Sequence, residues 1–150
     1  MKPDEPIGSL LRELLSAQKL AVLSTHQSGQ PYANLVAFVC SEDLKSLYFA
    51  TVRSTRKFAN ILEDSRVALL VSSSTNAESD FNEAMAATVV GSAVEVLGEK
   101  RRSALITYLA KHPYLEAFVR SPGCALVKVS VRSYILVKNF QQIMELHFEV

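Results

Sequence analysis

Arg56 and Lys57 stand side by side, directly after two hydroxyl residues, Ser54 and Thr55, and at the start of an apolar pattern that runs to Leu62. That pattern predicts a helix over residues 55–62. Ser54 or Thr55 can cap it, because a side-chain oxygen at an N-cap accepts from the unpaired amides of the first turn. A helix N-terminus carries roughly half a positive charge, so cations placed there are disfavoured by about 0.3–1 kcal/mol each. Glu63 and Asp64 add negative charge at the opposite end, so the whole helix is charged against its dipole. Neither cation has an acidic partner one turn on, since Ala59, Asn60 and Ile61 occupy those positions. A phosphomonoester, with a charge of about −1.5 to −2 and several acceptor oxygens, would answer the cations, the hydroxyls and the free amides together. The chemistry expected of the segment is therefore the holding of a phosphorylated cofactor or substrate. The plainer alternative is a pair of solvated surface cations.

Other reactive residue types are scattered. His26, His112 and His147 are isolated, and a lone histidine is usually a loop or packing residue. Cys40 and Cys124 form no CxxC and no zinc-ligand spacing, so they read as small buried residues and no metal site is expected. Glu78, Asp80 and Glu83 lie in a polar stretch and read as solvated. No serine sits in the strand-turn-helix context of a hydrolase nucleophile. No residue is assigned a catalytic role on these grounds.

The elements that must position the cation pair are mostly strands. Runs rich in β-branched and aromatic residues cover 20–25, 31–40, 46–52, 66–72, 84–97 and 124–139, which predicts six strands. Short connections at 27–30 and 41–45 allow hairpins and are too short for parallel crossovers. Leu10, Leu11, Leu14 and Leu15 recur at helical spacing after Gly8-Ser9, read as a cap, and a further helix is expected over 99–110, ending near His112-Pro113. Residues 72–82 read as a mobile loop or lid. Strands outweigh helices, which favours an antiparallel barrel with peripheral helices over a doubly wound sheet. On the second strand Tyr32, Asn34, Val36 and Phe38 share one face and Ala33, Leu35, Ala37 and Val39 the other. Both faces are largely apolar, so one belongs to the core and the other needs a flat ligand, a second subunit or a helix to cover it.

At 150 residues, with 49% hydrophobic and 21% charged residues, the chain suits a single domain over 1–150. Sixteen basic and fifteen acidic residues give a net charge of +1, without the basic excess that a nucleic-acid partner requires. The start, 1–6, is polar with two prolines, and no signal peptide or membrane span follows, so a cytoplasmic location is expected.

The order and spacing of these features resemble the pyridoxamine 5′-phosphate oxidase-like FMN-binding split β-barrels. Gly29-Gln30-Pro31-Tyr32 leads into the second strand, Leu47-Tyr48-Phe49-Ala50-Thr51 follows, and then Thr55-Arg56-Lys57. The likeness is strong over 10–72 and looser beyond. It implies a mainly β fold, a six-stranded antiparallel Greek-key split barrel, working as a homodimer with FMN in an inter-subunit cleft. By the same resemblance Asn34, Leu35, Val36 and Ala37 would lie along the isoalloxazine ring. Ala50 and Thr51 would sit near the ribityl chain and phosphate, and Ser54, Thr55, Arg56 and Lys57 would hold the phosphate.

The departures point away from the oxidase itself and toward an uncharacterised branch. Asn34 stands where the oxidase has a flavin-contacting arginine, Val39 where it has a lysine for the substrate phosphate, and Ala86 where a glutamine is expected. The chain also has no Trp and ends in Glu145-Leu146-His147-Phe148-Glu149-Val150. Two readings follow. One is a flavin-dependent oxidoreductase acting on a small substrate with a small-molecule electron donor. The other is a non-catalytic flavin carrier or a haem-binding protein of the same fold.

Overall fold

The computed structural model describes residues 5–149. The polar residues 1–4 read at the start of the sequence lie outside it. Strands β1 (Leu20–Gln27) and β2 (Gln30–Cys40) form a hairpin whose central residues, Ser28 and Gly29, have φ of 50° and 86°. Left-handed backbone at both positions matches the right-handed twist of the strands, and glycine adopts it without penalty. Strand β3 (Ser46–Val52) pairs with the end of β2, and β4 (Arg66–Ser72) returns to lie beside β1. This spatial order, β4-β1-β2-β3, is a Greek key. Strand β5 (Met85–Glu95) pairs with β4, and β6 (Cys124–Lys138) pairs with both β5 and β3, which closes the six-stranded antiparallel barrel expected from the sequence. A seventh strand, β7 (Gln142–His147), was not expected; it pairs with the last residues of β6, beyond the point where β3 leaves it.

Two apolar layers hold these elements. Inside the barrel, Leu23, Phe38, Leu47, Phe49, Leu69, Val89, Val127 and Leu136 are buried on alternating positions of their strands. Outside it, Val39, Ala50 and Leu126 lie under Leu105 and Tyr108 of helix α4 (Gly98–Lys111) and Val119 of the short α5 (Glu116–Arg120). Strand β6 is therefore apolar on both faces where α4 and α5 cover it.

Helix α1 (Glu5–Ala17) packs Leu11, Leu14 and Leu15 on the barrel, and it starts early enough that Gly8-Ser9 lie within it rather than capping it. Helix α2 (Arg56–Glu63) buries Phe58, Asn60 and Ile61, and Asn60 Nδ2 donates to Thr25 Oγ1 at 2.9 Å. The polar segment after β4 is a built turn: the Asp80 carboxylate accepts from the amides of Thr75, Asn76 and Ala77 and opens a one-turn helix, α3 (Asp80–Glu83). Those amides hold the Asp80 pKa below the usual carboxylate range. Among the described residues no helix is long and apolar enough to cross a membrane.

The barrel is split along one strand. Strand β2 pairs with β3 only over Phe38, Val39 and Cys40, whereas β3 continues to Val52 paired with β6. From residue 37 back to 30, β2 is paired on the β1 side alone.

Candidate functional site

The open edge of β2 presents main-chain groups. The Phe38 N–H points to Lys19 O on the β1 side, so by alternation Val36 and Asn34 also address β1, while Ala33 and Leu35 turn their N–H and C=O groups toward the split. At the closed end of the split, a side chain from the last turn of α4 and one from its C-cap fasten β2. Tyr108 Oη donates to Ala37 O at 3.1 Å, and His112 Nε2 lies 2.7 Å from Phe38 O. Both residues are buried, and burial pushes the His112 pKa down and that of Tyr108 up to about 12.

The other end of the open edge meets the N-terminus of α2. Thr55 is the N-cap: its Oγ1 accepts from Phe58 N at 3.4 Å, donates to Val52 O at 2.8 Å, and lies 3.1 Å from Thr51 Oγ1. Ser54, the other candidate cap, is exposed beside it. The Arg56 guanidinium lies over the Tyr32 ring, 5.6 Å from its centroid, which ties the helix terminus to β2. Lys57 is half-buried; burial alone lowers its pKa, and no carboxylate among the described residues pairs with it.

Neighbouring cations are spoken for. Arg53 grips the Glu95 carboxylate at 2.6 Å and the Pro122 carbonyl at 2.9 Å, so it braces β3 against the start of β6. Arg66 pairs with Asp64 at 2.7 Å, and His26 approaches the same carboxylate at 3.0 Å. At the negative end of α2 Glu63 is exposed and makes no ion pair among the described residues, but the Asp64 charge is compensated within the chain, its carboxyl held far below the usual range mainly by the Arg66 hydrogen bonds. The positive end is not: its first turn contains no acidic residue.

The residues singled out from the sequence divide between these surroundings. Thr51, Ser54, Thr55, Arg56 and Lys57 gather at the helix terminus. Asn34, Leu35, Val36 and Ala37 lie along the open strand, with Val36 in the core and Leu35 63% exposed. Asn34 Oδ1 is buried without a hydrogen-bond partner, an acceptor that a ligand donor can satisfy. Ala50 turns its side chain under α4, so only its main chain can address a ligand. The covering of β2 is mixed: α4 covers Val39, while Ala33 and Leu35 stay exposed. A row of apolar residues crosses the outer face in register, Leu35 beside Val22 beside Leu70, with Leu20 close by; Leu35, Leu70 and Leu20 are 63%, 43% and 52% exposed.

Sequence reasoning did not find the Arg56–Tyr32 contact, the Arg53 brace or the Tyr108 and His112 clamp. Tyr32 had a signal, since it shares the face of Asn34, but the others depend on contacts across 42 to 74 residues of chain. Cys40 and Cys124 are unpaired thiols, and burial raises the Cys40 pKa to about 11, which fits packing rather than reactivity.

Comparison with known proteins follows the architecture. The chain matches no curated protein. Among solved structures it is similar to a haem-binding protein from Mycobacterium smegmatis, with a TM-score of 0.82 at 13% identity over 93% of this chain and 57% of that one. It is similar to General Stress Protein 26 from Bacillus anthracis, with a TM-score of 0.71 at 17% identity over 95% and 98% of the two chains. A FAD-binding protein from Mesorhizobium loti has a TM-score of 0.67 at 13% identity over 83% and 89%. These likenesses concern the fold, and the chain spans little more than half of the mycobacterial protein. The family model described as pyridoxamine 5′-phosphate oxidase matches residues 8–138, nearly the whole barrel including the split strand and the α2 terminus, and the chain belongs to that family.

Proposed function

We propose that this protein binds FMN and serves as a flavin-dependent oxidoreductase for a small substrate, in a cleft completed by a second copy of the chain. The observation that carries this reading is the uncompensated positive end of α2, set against an open strand edge. Arg56, Lys57, the hydroxyls of Ser54 and Thr55 and the free first-turn amides match the charge and the acceptors of a phosphomonoester. Ala33 and Leu35 offer main-chain donors and acceptors to the polar edge of a flat ring, and the orphaned Asn34 oxygen offers one more acceptor. The exposed row Leu35, Val22, Leu70 would gain cover from a partner subunit, which would also exclude water from the cleft.

In this arrangement the protein binds, orients and shields. Lys57 and Arg56 fix the phosphate end, Thr51 and Thr55 keep the helix terminus aligned with β3, and the Tyr108 and His112 clamp holds the strand from which the ring would hang. Bound FMN would supply the electron-transfer chemistry. The test is anaerobic mixing of FMN-loaded protein with NADH or NADPH while flavin absorbance is followed. Bleaching by either donor is expected, and a flavin that neither reduces would move the protein to the carrier reading.

The mycobacterial neighbour suggests haem as a second ligand for the same cleft. Each imidazole, however, is already engaged: His26 with Asp64 and the Gly29 amide, His112 with Phe38 O, and His147 with Glu145. Flavin is the better supported ligand.

A further inference from the structure

We propose that the concavity between β3, β5 and β6, at the end of β3 remote from α2, is a second anion site that takes a small molecule carrying a diphosphate. Six residues along β3 separate it from the α2 terminus, about 20 Å of strand. The cavity has a volume of about 620 Å³ and is lined by Lys45, Ser46, Ser92, Lys128, Ser130 and Arg132.

The serines form one row across the sheet, since Ser130 is opposite Ser46 on one side and Ser92 on the other. Among the described residues none of the three cations is ion-paired, and none of the three hydroxyls has a side-chain hydrogen bond. The nearby Asp43 carboxylate accepts from the Ser41 hydroxyl and the Lys45 amide and its charge acts on Lys45, and among the described lining residues Glu149 is the one carboxylate. Among the described residues three cations therefore stand against two acids, Asp43 and Glu149, which leaves the cavity basic.

Backbone irregularity at this place supports a built site. The β5–β6 register slips between Val90 and Gly91, because Val90 faces Ser133 and Gly91 faces Val131. Arg132 is thereby the extra residue of a β-bulge on β6, a device that re-aims a side chain. Gly91 makes the close approach possible: a Cβ there would lie 2.2 Å from Ser130 O. Lys128 and Arg132 flank Ser130 along about 13 Å of strand, a span that two linked phosphates bridge better than one. Phe148, whose ring lies 6.0 Å from Lys45 Nζ, closes one side.

The experiment is calorimetric titration with pyrophosphate of the Arg56→Ala, Lys57→Ala protein, in which the α2 terminus has lost both its cations and the flavin reading plays no part. One saturable equivalent is expected, bound more tightly than orthophosphate or sulfate. Adding Lys128→Ala with Arg132→Ala should weaken it at least tenfold, and Ser92→Asp, an exposed change that places a carboxylate among the cations, should do the same. Pyrophosphate binding that survives these changes, or that sulfate reproduces at equal affinity, overturns the proposal.

Discussion

The two ends of helix α2 pose the same electrostatic problem and meet it differently. At the C-terminus Glu63 and Asp64 oppose the dipole; Glu63 stands in solvent, while Arg66 and His26 converge on Asp64 and answer its charge inside the chain. At the N-terminus Arg56 and Lys57 oppose it as well, and there the protein supplies only an aromatic face under one cation and partial burial around the other. On the proposed reading the second end is answered by a ligand that arrives from outside. Its position, beside the strand edge that the split leaves without a partner, indicates a ligand with an anionic end and a flat polar body.

The sharpest way to break this comparison is to remove the uncompensated charges. Arg56→Ala with Lys57→Ala should weaken FMN binding by 100-fold or more, since two charge-assisted hydrogen bonds are worth about 1.5–3 kcal/mol each. Thermal unfolding should move little, because surface substitutions change stability by about 0.5 kcal/mol or less. Loss of fold instead of loss of flavin would mean the pair is structural. Next in size, Leu35→Glu with Leu70→Glu should convert the expected dimer to a monomer in sedimentation velocity, because a buried leucine contributes about 1.5–3 kcal/mol; an unaltered sedimentation coefficient would show that this face is not the interface.

Thr55→Ala should cost about 1 kcal/mol in denaturant unfolding through the lost cap, and it should also weaken FMN binding. The pH dependence should be milder. Burial lowers the Lys57 pKa in the free protein, while a bound phosphate favours the charged amine, so FMN affinity should fall as pH rises through that depressed pKa, starting below the usual lysine range. Titrations of the Lys57→Arg protein should lack this decline, because a guanidinium stays protonated. The smallest effect on binding is expected for Arg53→Ala. It removes the brace to Glu95 and Pro122, so the melting temperature should drop while FMN affinity stays unchanged.

The barrel was legible because its signals are local. Alternating β-branched and aromatic runs gave six strands, and the glycine at position 29 marked the first hairpin. Strand β7 was missed because its turn is made by Asn139 and Phe140, at φ of 51° and 64°, and phenylalanine gives no turn signal. The cation pair was legible for the same local reason, a cap, a dipole and an absence of acidic neighbours within one turn. What could not be read were the contacts that decide which charges are free. Arg53 precedes the cation pair in sequence, but Glu95, 42 residues on, holds it, and β1 brings His26 to an Asp64 that Arg66 already pairs. The open edge of β2 depends on where β3 stops pairing, which only the closed barrel defines.

The central claim is tested most directly by the visible spectrum of the freshly purified protein, with chromatography of the chromophore that heat releases. An oxidised-flavin spectrum and one FMN per chain are expected. A colourless protein that takes up no added FMN, or a haem spectrum without flavin, would contradict the assignment of the α2 terminus and the open strand to a flavin.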